Sequence, residues 1–130
     1  MSEPEWIEEE VVHMLQRRQL AEHGGMDGIR DEGILLSALA GPEQLWQDRD
    51  CPPDPCALAA AYAFGLAKNH PFLDGNKRTA AIACELFLNL NGTRFTVGEE
   101  EKYPRYLALA AGELSEEEFT TWLRENTLVA

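Results

Sequence analysis

Residues Pro55 to Asn91 read PCALAAAYAFGLAKN-HPFLDG-NKRTAAIACELFLNLN, and this stretch decides the fold. Its first part is apolar nearly all the way round a helical projection, the pattern of a helix buried on every side. Pro55 suits a first helical turn, where its missing N–H costs nothing. The run His70-Pro71-Phe72-Leu73-Asp74-Gly75 then breaks the chain. A second helix restarts near Asn76 and carries Ile82, Leu86, Phe87 and Leu90 at helical spacing, with Gly92 as its stop.

The break between the two helices carries the chemistry. The first N–H groups of the second helix have no acceptor inside it, and with the helix dipole they form an anion site. Gly75 leaves the backbone open to a ligand. Lys77 and Arg78 add two cations at the end of a helix where cations oppose the dipole, which points to a bound anion that reverses the sign. Asp74 can hold Mg²⁺, which favours carboxylate and phosphate oxygens. His70 carries an imidazole, which can accept a proton from an attacking hydroxyl. Base, metal ligand and phosphate nest fall within nine residues, and phosphoryl chemistry asks for little else. Each residue alone has a plainer reading: a core histidine, an Asp-Gly turn, a solvated helix start. The segment is not a Walker P-loop, since Gly-Asn-Lys-Arg-Thr lacks the adjacent Gly-Lys-Ser/Thr.

Outward from this centre the chain reads as helices broken by turns. Trp6, Ile7, Val11 and Leu15 space a first helix over roughly 4–22, and His23 to Gly28 is a turn-rich stop. Asp31 caps a second helix carrying Leu35, Ala38 and Leu39, expected to end at Gly41-Pro42, with a loop over 46–55. Thr96-x-x-Glu99 and Ser115-x-x-Glu118 each match a capping box and would open the last two helices, with Pro104 arguing for a later start of the first of these. A short strand or hairpin around 94–97, or near 24–30, is left open. The expected fold class is all-α: about six helices in one domain over 1–130, with a central buried helix and a catalytic loop-helix.

Composition narrows the function. With 23 acidic residues against 11 basic ones the net charge is −12, which argues against direct binding to nucleic acid or to an anionic membrane surface. The N-terminus is too acidic and broken for a signal peptide. Three cysteines without a framework point to a reducing, cytoplasmic compartment. Cys51 and Cys56 lack the further ligands that zinc requires. Three tryptophans and many alanines exceed what a small core asks for, so an apolar groove on the first three helices is expected to take an amphipathic tail.

The run His70, Phe72, Asp74, Gly75, Asn76, Lys77, Arg78 resembles the Fic motif, His-Pro-Phe-x-Asp/Glu-Gly-Asn-Gly-Arg-x-x-Arg, in the variant of the Doc toxins, which carry lysine at the second glycine. The stretches from Gly28 to Gly33 and from Ala110 to Ser115 also look like Doc-family sequence. The resemblance implies the Fic/Doc fold and a set of roles. His70 would be the general base; His70, Lys77 and Arg78 are the candidate catalytic residues. Gly75, Asn76, Lys77 and Arg78 would bind the nucleotide phosphates, Asp74 would hold Mg²⁺, and Phe72 would fix the loop in the core. ATP would be the substrate, and its γ-phosphate would move to a Thr or Ser hydroxyl of elongation factor Tu, arresting translation. An antitoxin whose disordered tail folds on binding would neutralise the protein. Two departures from the broad Fic pattern, Lys77 for glycine and Ala81 for the second arginine, favour this chemistry over AMP transfer. A nucleotidyltransferase and a non-catalytic module of the same fold are the alternatives. Thr121 to Asn126 matches the inhibitory helix of some Fic proteins, but with Ala81 the expected partner of Glu125 is gone, and an exposed glutamate is the default expectation.

Overall fold

The computed structural model describes residues 3–47 and 53–129. In chain order these form α1 (Glu9–His23), α2 (Glu32–Gln47), α3 (Pro55–Asn69), α4 (Asn76–Leu90), β1 (Thr93–Phe95), α5 (Glu99–Ala111), α6 (Glu116–Glu125) and β2 (Thr127–Val129). Helix α3 is the axis, packed against α2, α4, α5 and α6. Leu58, Ala59, Ala60, Tyr62, Ala63, Leu66 and Ala67 are all fully buried, as its all-round apolar character requires. Asp54 caps it, accepting from the N–H of Ala57 at 2.9 Å. Gly65 lets α2 approach closely: a Cβ there would lie 2.9 Å from the Cβ of Ala38.

The expected all-α class is borne out by six helices among the described residues, to which the structure adds a two-stranded sheet, and the capping box at Ser115 is present with both of its bonds at 3.0 Å. Three local expectations are corrected by tertiary contacts. Helix α1 starts at Glu9 rather than near residue 4. The preceding residues are tied to the core: Glu5 N–H donates to Asn91 Oδ1 at 2.8 Å and Ile7 N–H to the Tyr62 hydroxyl at 3.1 Å. Helix α2 runs through Pro42 to Gln47, because Pro42 and Trp46 are both buried on it and packing outweighs the lost backbone bond. The Thr96 box does not form. Thr96 N–H instead donates to Asn126 O at 2.9 Å, extending the β1–β2 ladder, so α5 starts after Gly98 and runs through Pro104. The strand near 94–97 is present as β1, but its partner is β2, antiparallel with Arg94 opposite Leu128, and not a hairpin neighbour. Segment 24–30 contributes a single bridge, Ile29 to Phe72.

The tryptophans are spent in the core. Trp6 lies 6.5 Å from Trp46 and 6.0 Å from Phe87 between ring centroids, and Trp122 stacks 5.6 Å from Phe119. The groove over α2 and α3 is made by other residues, Ala38, Leu45, Ala61 and Phe64, with Glu116 of α6 on its rim. Cys56 and Cys84 are free and buried; Cys51 and the rest of 48–52 in the expected loop over 46–55 lie outside the described residues, while Trp46 and Gln47 belong to α2. Among the described residues no helix is long and apolar enough to cross a membrane.

Candidate active site

The two helices that the sequence singles out meet at the site. Helix α3 stops at Asn69, and His70 follows in the left-handed region at φ 51°, ψ 61°. Pro71 then prevents any return to the helix. Phe72, only 1% exposed, plunges into the core and meets the ring of His13 edge-on at 6.0 Å. Gly75 caps α4 in the left-handed region at φ 78°. A Cβ there would meet nothing closer than 3.7 Å, so the glycine is needed for its backbone angle rather than for space. The N–H groups of Asn76, Lys77 and Arg78 then open α4 without acceptors inside the helix.

His70, Leu73, the run Asp74 to Arg78 and Tyr103 of α5 line one cavity of about 350 Å³. The structure thus brings every sequence-predicted site residue to one place. His70, Asp74, Lys77 and Arg78 are exposed to solvent, open to a ligand and to a macromolecular acceptor. Asn76 differs from the others. Its side chain is turned inward, 9% exposed, where Oδ1 accepts from Phe72 N–H at 2.9 Å and Nδ2 donates to Phe72 O at 3.0 Å. It braces the loop from within, and only its backbone N–H faces the anion site.

A second, more apolar slot of about 560 Å³ shares Arg78 and Tyr103 with the first. Ala81, Ile82 and Pro104 form its apolar walls, and Glu99 and Glu100 stand at its rim. The slot opens where the Fic pattern would have an arginine at position 81.

Residues that the motif does not contain hold the loop in shape. Met26 N–H donates to Asp74 Oδ2 at 2.7 Å, and Gln16 Nε2 donates to Asp74 O at 3.3 Å. Arg30 donates from Nε to His70 O at 2.6 Å and from a terminal nitrogen to Asn69 O at 2.7 Å. The N–H groups of Arg30 and Asp31 both reach Pro71 O, at 2.7 and 3.1 Å, and Leu73 N–H reaches Gly28 O at 3.1 Å. The segment from Met26 to Asp31 is therefore a strap over the loop. Its signals in the sequence were the resemblance of Gly28 to Gly33 to Doc-family sequence and the strand left open near 24–30; Tyr103 gave none.

Among the described residues no group of three or more His, Cys, Asp or Glu is gathered as a metal cage. Mg²⁺ commonly takes one or two carboxylates and completes its shell with substrate phosphates and water. Asp74 offers such a carboxylate beside the anion site, oriented through one oxygen by Met26.

Glu125 is remote. Its neighbour Arg124 is bonded to Asp54, Nε to Oδ2 at 2.7 Å, at the opening turn of α3, whereas His70 lies at the far end of that 15-residue helix. At 1.5 Å per residue the two ends are roughly 22 Å apart. Trp122 and Leu123 are buried and Glu125 is exposed, the plain outcome expected for this helix.

The matches to known proteins agree with this geometry. The Fic/DOC family pattern matches residues 6–88. "Toxin Doc" of Mycolicibacterium smegmatis is 42% identical over 71 residues, which are 55% of this chain and 55% of that protein. "Protein kinase doc" of Escherichia phage P1 is 30% identical over 109 residues, 84% of this chain and 85% of that protein. With the buried helix, the motif loop and all but the last two residues of the helix that follows inside the matched region, the chain belongs to the Fic/DOC family.

Proposed function

We propose that this chain is the toxin of a toxin–antitoxin pair and a protein Ser/Thr kinase that moves the γ-phosphate of ATP to a hydroxyl of its target. The observation that carries the reading is the contrast between the two adjoining cavities. One is ringed by backbone N–H groups, Lys77 and Arg78 and suits a phosphate. The other is walled by Ala81, Ile82 and Pro104, with Glu99 and Glu100 at its rim. That slot suits the nucleoside better than a diphosphate, since Arg78, shared with the cradle, is the one Lys or Arg among the described residues that lines it. A nucleotide whose terminal phosphate sits in the cradle fits both. AMP transfer needs the β- and γ-phosphates to extend beyond the cradle, and Ala81 gives them no cation. The name of the phage P1 relative points the same way.

In the transfer, the acceptor oxygen forms a bond to the γ-phosphorus as the bond to the β,γ-bridging oxygen breaks, and ADP departs. His70 takes the hydroxyl proton. The helix N–H groups, Lys77 and Arg78 offset charge on the transferring group. Mg²⁺ held by Asp74 would neutralise phosphate charge. The family resemblance suggests a threonine of elongation factor Tu as the acceptor, and an antitoxin tail that folds on this protein as the regulator. The remoteness of Glu125 supports control by a separate chain.

The test incubates the protein with ATP, Mg²⁺ and purified elongation factor Tu, followed by intact-mass analysis of the acceptor. A phosphate adduct is expected; an AMP adduct would establish the nucleotidyltransferase alternative instead. His70→Ala is expected to stay folded and to lose transfer by about 10²- to 10⁴-fold, the usual cost of removing a general base. Near-normal turnover in that variant would sink the assignment of His70.

A further inference from the structure

The backbone at His70 is one that its own sequence disfavours. It is a non-glycine residue at φ 51°, and the following Pro71 restricts it further. Such a conformation persists only where the surroundings impose it. Helix α3 also ends here with carbonyls that find no acceptor-matched N–H inside the helix. One side chain, forty residues away in sequence, answers both problems. The guanidinium of Arg30 donates at 2.6 Å to His70 O and at 2.7 Å to Asn69 O. Its own backbone N–H holds the next carbonyl, Pro71 O, at 2.7 Å. Three successive carbonyls, at 69, 70 and 71, are thus gripped by one residue. The planar fork of arginine can span two adjacent carbonyls; a lysine cannot reproduce that geometry.

We infer that Arg30 is the positioning residue of the proposed general base: it fixes the left-handed turn that aims the His70 imidazole into the phosphate cavity. This rests on the reading of His70 as base, and it adds a residue outside the motif to the machinery. Arg30 touches neither nucleotide nor acceptor in this scheme. Its loss should therefore slow the chemical step and leave nucleotide binding alone.

The experiment compares wild type, Arg30→Ala and Arg30→Lys. Transfer kinetics are measured with ATP and acceptor. In parallel, ¹⁵N-resolved imidazole signals are followed by NMR, with the His70 signal told apart from those of His13 and His23 by its absence in His70→Ala. In Arg30→Ala the expected result is a fall in kcat of about 10- to 100-fold, the scale of a misplaced catalytic group, with KM for ATP unchanged. The His70 signal should average over several ring orientations while the other two histidines keep theirs. Arg30→Lys, which retains the charge and one donor, should recover part of kcat, and it decides the question if the alanine variant folds poorly. Unchanged kcat together with an unchanged His70 signal in either folded variant overturns the inference. A wild type that transfers nothing while Arg30→Ala still frees the His70 ring would sink the proposed reaction and leave the clamp standing.

Discussion

The inward-facing amide of Asn76 makes a prediction that separates a structural brace from a ligand contact. Asn76→Ala removes both bonds to Phe72, of 2.9 and 3.0 Å. It leaves the N–H and C=O of a residue that is 1% exposed without those partners. Each buried orphan costs about 1–3 kcal/mol. The loop lies close to solvent, so water can reach it once the side chain is gone, and the lower end of that range applies to each group. Alanine's better helix propensity returns no more than about 0.7 kcal/mol, and less at an opening turn. The net loss is about 1.5–2 kcal/mol, which for a chain of this size lowers Tm by about 5–7 °C. Urea unfolding and calorimetry measure it directly. Asn76→Asp should be no better: it keeps an acceptor for Phe72 N–H but turns a carboxylate toward Phe72 O. Unaltered stability in Asn76→Ala, combined with lost ATP binding, would refute the brace and return the side chain to the nucleotide.

Three other outcomes are expected. Lys77→Gly should weaken ATP binding by about tenfold, the scale of one charge-assisted contact, while the product on the acceptor remains phosphate, because Ala81 still supplies no cation; an AMP adduct in this variant would show that Lys77 alone sets the product. Glu125→Gly, assayed without any partner protein, should leave transfer unchanged, and a rise of tenfold, equal to about 1.4 kcal/mol, would contradict the distance between α6 and the site. At Asp54, burial pushes the carboxyl up, but the bonds from Arg124 and from Ala57 N–H outweigh it and hold the pKa below the ordinary 3.8. The charged pair therefore contributes stability above the ordinary carboxylate range, and that contribution is lost as pH falls through the depressed value. For a half-exposed pair it amounts to no more than about 1 kcal/mol. Asp54→Asn should be slightly less stable than wild type at neutral pH, with the gap in urea midpoint closing in acid; a gap that persists there would assign the effect to the cap alone.

The parts of the fold that were legible in the sequence are those written locally. The buried helix from Pro55, the break at His70 and the restart at Asn76 each follow from a few adjacent residues. The site shared that advantage, since histidine, carboxylate and cations all fall within the nine positions 70–78. What stayed hidden depends on contacts between distant parts of the chain. Pro42 reads as a helix end until Trp46 is seen buried beyond it. Thr96 reads as a cap until its N–H is found on Asn126 O. Asn76 has the same letter whether its amide faces a phosphate or Phe72. Arg30 is one of eight arginines in the chain, set in a polar turn region, and only the folded chain puts it across the end of α3.

A glycine at position 70 would adopt the observed φ of 51° without the steric cost that a Cβ brings, about 1–2 kcal/mol. Its greater freedom in the unfolded chain takes back roughly 0.5–1 kcal/mol. The substitution that erases the proposed base is therefore neutral or favourable for folding. Under the proposed toxin role, silencing at this position would carry no loss of abundance. The silent copy would persist at full level with its surface intact, and would go on occupying any neutraliser shared with active copies, so that inactivation creates a competitor rather than an absence.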